Sequence, residues 1–574
     1  MVRIVLWILV NFFSFISNSN AQERYDADLT SPLGIPIVLA ANFGELRPNH
    51  FHTGIDIKTN GKEGFKVYSV ADGYVSRIHI SPYGYGKAIY VNHPQLGITT
   101  VYAHCSGFAN VIDSTLLAYQ RAEKSNQVDY YLSPEDLPVI QGENIAFSGN
   151  TGGSTAPHLH FEIRDMWNEH PYNPLLFHFL DSIADNRYPE INGVKIYALS
   201  KLGYPIPNQY SYLKLIQSKG EYRIHNDTCS IPASYCSENG GIGFSVDAID
   251  RLNDANNPCG IYESNLLLNK DTVFRQNMSE LDFSTNRQIN THIDYQESIT
   301  RGRKYQKQFK TPHNQLAIYP LASNGVLPVN PNQSYQIEYN CKDTRNNTTK
   351  LAFELKVLNG DRREENTPYD IYSLNYLYPD STYEFKDENR QINFPAYTIY
   401  EPCPKMVMFT PNTVVFGEST TPINNEFVLK WKLSSVPNYS SQTVIAVKDD
   451  RGRSKALNTT LENDYLIATP KQLGTFYVTK DTIQPTVKAY NFSAKTQFKK
   501  GIVLKWKISD DFSGIKDYNL YIDGVWQVLD YEYKRSEIFT TLPALSIGNH
   551  ELKLVVSDEV GNTNESVFTI QITD

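Results

Sequence analysis

The chain has fewer positively charged than negatively charged residues. Its 53 lysine and arginine residues are outnumbered by 62 aspartate and glutamate residues, which gives a formal net charge of −9. It has no basic stripe and no known nucleic-acid-binding module, so the sequence argues against nucleic acid as a partner. The mild acidity fits ordinary solubility and identifies no partner by itself.

Long apolar runs are missing after the N terminus. Residues 1–21 have a short basic start, an apolar core and a small-residue end, which predicts a secretory signal peptide cleaved after Ala21. No later stretch approaches the length of a membrane span, so we expect no span after cleavage. We therefore expect an exported protein that is periplasmic or in the cell envelope, and an extracellular location stays open.

Cysteine is scarce, with six residues in 574. Four of them fall in one region and could pair in three ways, among which the sequence does not choose: Cys229, Cys236, Cys259 and Cys341. Cys105 follows His104 directly, but we interpret it as a small apolar residue rather than a nucleophile.

Tryptophan is also scarce (5), whereas tyrosine is abundant (39). Together with common valine, isoleucine and threonine runs, this favours strands over helices. Short strands separated by glycine-rich turns predict an antiparallel-sheet protein between Gly34 and Asp165. The expected strands cover residues 64–70, 74–80, 88–92, 98–103, 144–148 and 158–164.

The length of 574 residues predicts about four structural units. We expect a first domain at residues 30–185, an immunoglobulin-like β-sandwich at 186–360 with an insertion around 275–330, a β-rich module at 361–480 and a second immunoglobulin-like sandwich at 481–574. The two sandwiches are predicted from a weak internal repeat: Gly241 and Gly501 each begin an apolar strand that leads to an acidic turn, a Gly-Ile pair and another strand.

Residues 109–140 interrupt the strand pattern of the first domain. A helix is expected from Leu116 to Ser125, followed by a loop. Such an insertion could shape a substrate groove or could be a solvated excursion, and the sequence leaves both open.

Two histidines lie one residue apart near residue 160. The segment Gly149-Asn-Thr-Gly-Gly-Ser-Thr-Ala-Pro-His-Leu-His-Phe-Glu162 ends in a β-prone run. Side chains alternate along a strand, so His158 and His160 share one face while Leu159 and Phe161 share the other. The apolar face can anchor the strand and direct both imidazoles to one point.

Upstream segments supply matching groups. His52 and Asp56 flank Gly54, which permits a bend or a close backbone approach. His104 ends the apolar run Val101-Tyr-Ala. A set of two histidines and one carboxylate leaves a fourth tetrahedral position open, as catalytic zinc requires.

These ordered motifs resemble the lysostaphin/LytM-type zinc metalloendopeptidases. The resemblance rests on His-x3-Asp, Tyr-Ala-His and Gly-x-Thr-Gly-x-Ser-Thr-x-Pro-His-Leu-His-Phe-Glu, and it spans roughly residues 34–175. It implies a mostly β protein, with an antiparallel-sheet LytM-type peptidase domain followed by the immunoglobulin-like modules.

The resemblance also implies the site. His52, Asp56 and His160 are the implied Zn²⁺ ligands, and His104 and His158 the implied catalytic pair, with their division of labour open. The implied reaction is hydrolysis of peptide bonds in bacterial cell-wall peptidoglycan by attack of a zinc-activated water. Arg47 could contact a substrate carboxylate or form a structural ion pair.

Two other functions remain to be weighed. The alternative is a non-catalytic LytM-like protein that binds the cell wall or activates an amidase, although such relatives lose metal ligands that are all present here. The sandwiches could also bind envelope protein partners, as in an adhesin or scaffold. Acidic turns such as Asp510-Asp511 and Asp558-Glu559 could bind calcium, but we expect them to cap turns because no complete ligand loop is present.

Overall fold

In the computed structural model of the chain, the described residues are 25–218, 221–235, 240–359, 375–493, 497–498 and 501–573. The predicted signal peptide and Cys236 lie outside them. Within the described residues, no helix is long and apolar enough to cross a membrane.

The chain divides into two compact units. The described residues of the first unit fall within 25–114 and 129–359, and those of the second within 115–128 and 375–573. The predicted first domain and first sandwich therefore belong to one unit, apart from residues 115–128. The predicted domain boundaries themselves stay predictions.

The N-terminal part of the first unit is built on a nine-stranded sheet. Its strand order is β1-β4-β13-β8-β7-β6-β10, with β11 beside β6 and β14 beside β13, while β5-β12-β9 and β2-β3 form small sheets. The strands are β1 (Leu39–Ala41), β2 (Leu46–Arg47), β3 (His50–Phe51), β4 (Ile55–Lys58), β5 (Lys66–Tyr68), β6 (Gly73–Ile80), β7 (Lys87–His93), β8 (Ile98–Ala103), β9 (Gly107–Phe108), β10 (Val128–Tyr131), β11 (Pro138–Val139), β12 (Asn144–Phe147), β13 (His158–Asp165) and β14 (Pro171–Tyr172).

The rest of the first unit is a sandwich of two sheets, which we call the first sandwich. The sheets have the orders β16-β15-β20-β23 and β17-β18-β25-β24-β21-β22, with β19 beside β25, and they enclose one apolar core. The strands are β15 (Glu190–Leu199), β16 (Pro205–Leu213), β17 (Leu215–Ser218), β18 (Glu221–Ile224), β19 (Thr228–Ile231), β20 (Ile242–Ile249), β21 (Glu263–Leu268), β22 (Asp271–Asn277), β23 (Gln306–Lys307), β24 (Ser334–Lys342) and β25 (Thr348–Val357).

Short helices and the two-residue strand β23 lie between β22 and β24, where the insertion is predicted. We call its residues 278–318 the clamp segment; it contains the short helices α2 (Ile289–His292) and α3 (Tyr295–Arg301). Its apolar side chains share a core with the strands around His52, so the segment packs against the rest of the first unit. This core contains Phe43, Leu46, Phe51, Met278, Leu281, Ile289, Ile293, Leu316 and Ile318.

The second unit contains two further pairs of sheets. The middle module has the orders β27-β28-β32-β36-β35 and β30-β31-β37-β33-β34, plus a β26-β29 pair. Its strands are β26 (Tyr376–Leu377), β27 (Tyr383–Lys386), β28 (Arg390–Phe394), β29 (Cys403–Pro404), β30 (Val407–Phe409), β31 (Thr413–Phe416), β32 (Val428–Lys432), β33 (Thr443–Lys448), β34 (Ser454–Ala456), β35 (Thr459–Glu462), β36 (Tyr465–Ala468) and β37 (Gly474–Lys480).

The last module was predicted as the second immunoglobulin-like sandwich. We call it the third sandwich, because it follows the first sandwich and the middle module. It pairs the sheets β38-β40-β44-β43 and β39-β46-β45-β41-β42 around a core that includes Trp506. Its strands are β38 (Thr486–Ala489), β39 (Gln497–Phe498), β40 (Val503–Ser509), β41 (Ile515–Ile522), β42 (Val525–Gln527), β43 (Asp530–Glu532), β44 (Glu537–Thr541), β45 (Gly548–Asp558) and β46 (Thr563–Ile572).

The mostly β fold class is confirmed, and the expected strands of the first domain occur within a few residues of their predicted bounds. The expected helix is also present but begins earlier, as α1 (Asn110–Glu123). Of the residues that follow it, Asn126 is buried in the second unit, and its side chain bonds the backbone of Tyr518 and Leu529. Cys229, Cys259 and Cys341 are buried free thiols in the described part of the chain.

Candidate metal centre

Strand β13 provides the floor of the site. Leu159, Phe161 and Ile163 are fully buried on one face, which holds the strand in the core. His158, His160, Glu162 and Arg164 alternate with them and so face the other way. The sequence-predicted strand and the shared face of its two histidines are therefore present.

The strands on either side of β13 bring in the remaining groups. His160 lies opposite Asp56 of β4 and opposite Ala103 of β8. His104 follows β8 directly and has a φ of 61°, a left-handed conformation that turns the chain at this point. Gly54 is required between His52 and Asp56, because a Cβ there would lie 2.3 Å from the carbonyl oxygen of Phe161.

Three side-chain atoms meet at one point. His52 Nε2 lies 3.0 Å from Asp56 Oδ1 and 3.0 Å from His160 Nδ1, and His160 Nδ1 lies 2.9 Å from Asp56 Oδ1. All three residues are buried. The atoms are arranged as three ligands of one small ion.

The outer ring nitrogens show that this set fits a cation. His52 Nδ1 lies 2.7 Å from the carbonyl oxygen of Asn42, and His160 Nε2 lies 2.7 Å from Oε1 of Glu162. Both partners accept hydrogen bonds, so each outer nitrogen carries its ring proton and each inner nitrogen presents a lone pair. Two lone pairs and a carboxylate oxygen facing one another require a positive charge among them. Two imidazoles and one carboxylate suit zinc.

The pKa values of Asp56 and His160 also indicate that this group of atoms needs a positive charge. Burial alone favours the neutral acid, yet the charge of His52 and the hydrogen bonds from His160 and His52 hold the pKa of Asp56 well below its usual range. Burial also lowers the pKa of a histidine, but hydrogen bonds to Asp56 and Glu162 raise the pKa of His160 to about 9. In the metal-free protein a proton thus takes the position of a cation, and a metal must displace it.

His104 and His158 lie beside the three ligand atoms. Their ring centroids are 4.8 Å apart, and His104 is 5.8 Å from His160. His104 Nδ1 is 2.8 Å from the carbonyl oxygen of Thr151, and His158 Nδ1 is 2.8 Å from that of Ala156. Both rings therefore direct Nε2 inward, and His158 Nε2 is buried without a hydrogen-bond partner in the described protein. Burial lowers the pKa of His104 to about 3, which keeps it neutral at neutral pH.

Arg47 lies at the rim and contacts the site from outside. Its Nη2 atom donates to Asp56 Oδ2 at 2.6 Å, while Nε lies 3.8 Å from Glu45. Of the two roles considered for Arg47, the structural ion pair is present, and 30% of its side chain is still exposed.

Sequence reasoning missed a polar layer behind His160. Glu162 accepts hydrogen bonds from Thr53 and Tyr85 at 2.6 Å each and pairs with Arg164 at 2.6 Å. Burial opposes ionisation, but Arg164 and His160 keep the pKa of Glu162 well below its usual range. The signal was available, since Glu162 and Arg164 continue the period-two face begun by His158 and His160.

The first sandwich braces the site from a distance in sequence. The side chain of Asn42, whose carbonyl holds His52, exchanges two hydrogen bonds with the backbone of Gly260, at 2.7 and 2.8 Å. Asn286 of the clamp segment accepts a hydrogen bond from the backbone N–H of Phe51 at 2.7 Å. The residues beside His52 are thus held by elements more than 200 residues away.

Comparison with known proteins identifies the domain that carries this site. Residues 50–115 match the model of peptidase family M23. The DD-carboxypeptidase/endopeptidase Mpg of Neisseria meningitidis is 36% identical over 124 residues, 22% of this chain and 22% of that protein. A metalloprotease of Haemophilus influenzae is 33% identical over 132 residues, 23% of this chain and 21% of that protein. The chain thus matches about a fifth of the length of these relatives.

Among solved structures, the catalytic domain of lysostaphin from Staphylococcus simulans is 25% identical, over 21% of this chain and 76% of that chain, with a TM-score of 0.16. The family match contains His52, Asp56 and His104, and β13 adds His158 and His160 after it. The N-terminal part of this chain therefore contains a peptidase family M23 domain.

Proposed function

We propose that the chain is a zinc-dependent endopeptidase that hydrolyses peptide bonds in bacterial cell-wall peptidoglycan. The observation that supports this most is the convergence of His52 Nε2, Asp56 Oδ1 and His160 Nδ1 beside two further inward-facing imidazoles. A metal held only for structure needs four closed ligands, whereas three protein ligands leave a position open for chemistry.

The residues of the site have three roles: metal binding, proton transfer and orientation of the imidazole rings. His52, Asp56 and His160 hold the zinc, which when bound polarises a scissile carbonyl and lowers the pKa of water. His104 and His158 each carry the ring proton on the outward nitrogen, so each presents an unprotonated Nε2 that can accept a proton and later return it to the leaving amine. Glu162 and Asn42 fix the ring orientations of His160 and His52.

The competing function is that of a non-catalytic protein that binds the cell wall or activates an amidase. It predicts a damaged metal site, whereas all three ligand atoms here converge. We further propose an exported protein of the periplasm or cell envelope, with peptidoglycan peptides as substrate and envelope proteins as possible partners of the sandwiches.

The test combines metal content with product analysis. Residues 22–574 are purified, bound zinc is measured, and the protein is incubated with peptidoglycan while new amino termini are identified by mass spectrometry. We expect about one zinc per chain and metal-dependent new termini. His160→Ala should lose zinc and hydrolysis, and His104→Ala should keep zinc and lose hydrolysis. Zinc without cleavage would contradict the enzyme and favour the binding protein.

A further inference from the structure

A second group of ligand-type side chains lies in the first unit, away from the metal centre. Asp185 precedes β15, Asp250 follows β20 and Asp343 follows β24, so all three lie at one end of the first sandwich. Each offers a carboxylate oxygen, and these oxygens lie within 4.8 Å of one another. They line a small cavity that also borders Asn42.

One of the three residues has a buried carboxylate oxygen without a hydrogen-bond partner. Asp250 is only 3% exposed, and its Oδ1 atom has no hydrogen-bond partner in the described protein. An unpaired carboxylate oxygen that is shielded from water is costly unless a cation satisfies it. The oxygen is therefore free to bind a cation or to carry a proton.

The protein itself supplies little compensating charge. Arg345 pairs with Asp181 and Arg187 with Glu190, and in the described part of the chain neither guanidinium forms an ion pair with the three carboxylates. Burial, reinforced by the charge of Asp343, raises the pKa of Asp250 to about 8 and that of Asp185 to about 6. The more distant charge of Arg187 opposes the rise in the pKa of Asp185 and Asp250 but does not reverse it. Without a cation, the group must take up protons or repel itself.

The arrangement is a built feature of the sandwich, because it recurs in the third one. There the corresponding group is Asp481, Asp510 and Asp558. Asn562 donates to Asp558 Oδ2 at 2.7 Å, as Asn347 donates to Asp343 Oδ2 at 2.6 Å. In the third sandwich Asp510 and Asp558 cap turns as expected, and in both copies carboxylate oxygens of the three acids lie within 4.8 Å of one another.

We propose that Asp185, Asp250 and Asp343 bind one calcium ion in the first sandwich. The donors are all hard oxygens, which excludes the nitrogen and sulfur preference of zinc. Calcium accepts six to eight oxygens in irregular geometry, so three carboxylates can be completed by water and backbone oxygens. Calcium here would join the strand ends of the sandwich to the loop that carries Asn42.

The experiment measures calcium directly and is independent of hydrolysis. Residues 22–574 are stripped with a chelator and supplied with one equivalent of zinc. Calcium is then titrated by calorimetry up to about 1 mM, the range of extracellular calcium modules. Zinc and calcium contents are measured separately by elemental analysis, so failure of the zinc assignment leaves the calcium result readable.

The matched variants are Asp250→Asn, Asp185→Asn and Asp449→Asn. Asp250→Asn and Asp185→Asn keep shape but remove a ligand charge, so each should bind one calcium ion fewer than the wild type. Calcium should raise the melting temperature of each by less than it raises that of the wild type. Asp449 caps a similar turn in the middle module by accepting from Arg453, and within the described residues it belongs to no three-acid group. Asp449→Asn should therefore bind as many calcium ions as the wild type.

Two results would overturn the proposal. One is equal calcium content in the wild type and in both first-sandwich variants. The other is a wild type that binds no calcium at this concentration, in which case the carboxylates are balanced by shared protons. If Asp250→Asn does not fold, as judged by circular dichroism, the less buried Asp185→Asn decides.

Discussion

Nε2 of His160 lies 2.7 Å from Oε1 of Glu162, two residues further along the same strand. This contact sets which nitrogen of His160 faces Asp56, and Glu162 is in turn fixed by Arg164, Thr53 and Tyr85. The orientation of His160, a candidate metal ligand, thus depends on a residue that contacts only the outer side of its ring.

Glu162→Gln is expected to weaken zinc binding by about 10- to 100-fold, because an amide accepts the imidazole proton less well and removes the buried carboxylate that pairs with Arg164. Competition with a chromophoric chelator measures this affinity. The control is Glu169→Gln, since Glu169 also pairs with Arg164 but is mostly exposed. Equal affinities in the two variants would contradict a role for Glu162 in metal binding.

Arg47→Gln separates the two roles considered for Arg47. If the ion pair with Asp56 Oδ2 holds that carboxylate in place, zinc affinity falls and kcat/KM falls with it at limiting zinc. If Arg47 instead binds substrate, zinc affinity is unchanged and only KM rises. We expect the first outcome. Arg77→Gln, which breaks the Arg77–Asp129 pair of the same domain, is the control.

Asn286→Ala tests whether the clamp segment supports the site. It removes the acceptor for the buried N–H of Phe51, which should destabilise the protein by about 1–3 kcal/mol and weaken zinc binding through the adjacent His52. Urea unfolding and the chelator assay report the two effects. Ser284→Ala is the control, because Ser284 is an exposed residue of the same segment bonded to Asp282. A loss of stability with unchanged zinc affinity would restrict the clamp segment to a folding role.

The pH dependence of stability should report His292. Burial lowers its pKa to about 4, so the unfolded chain binds more protons than the folded one between that value and the ordinary pKa near 6.5. The contribution of neutral His292 to the free energy of unfolding is therefore complete above about pH 6.5. It is lost as pH falls toward 4, by at most about 3 kcal/mol.

His292→Gln should flatten this dependence, as measured by urea unfolding at pH 7 and pH 5. The exposed His225→Asn should keep the wild-type slope. An unchanged slope in His292→Gln would assign the acid sensitivity to other groups.

Local sequence patterns predicted many of the strands of the first domain and the shared face of two site histidines. Period-two alternation indicates that His158 and His160 share a face, and the structure brings both together with His52, Asp56 and His104. The same alternation could have extended to Glu162, whose role was missed. Strand bounds such as Ile98–Ala103 follow from runs of apolar β-prone residues.

Contacts between distant segments could not be predicted in this way. Asn286 bonds the backbone of Phe51 across 235 residues, and Asn126 is buried near Tyr518 across 392. Periodicity describes which face of an element is apolar, but it does not say which other element covers that face. The carboxylate group of the first sandwich was hidden for the same reason, since its three members come from three separate turns.

The Asn42–Gly260 contact also limits how this protein can be rearranged by evolution. A domain usually has its own core and its boundaries in linkers, so it can move between genes as one unit. Here a domain that ended before the first sandwich would lack Gly260. Asn42, which orients His52, would then lose its hydrogen bonds to that residue. The peptidase part and the first sandwich should therefore be inherited as one piece, whereas recombination after residue 359 leaves that anchor intact.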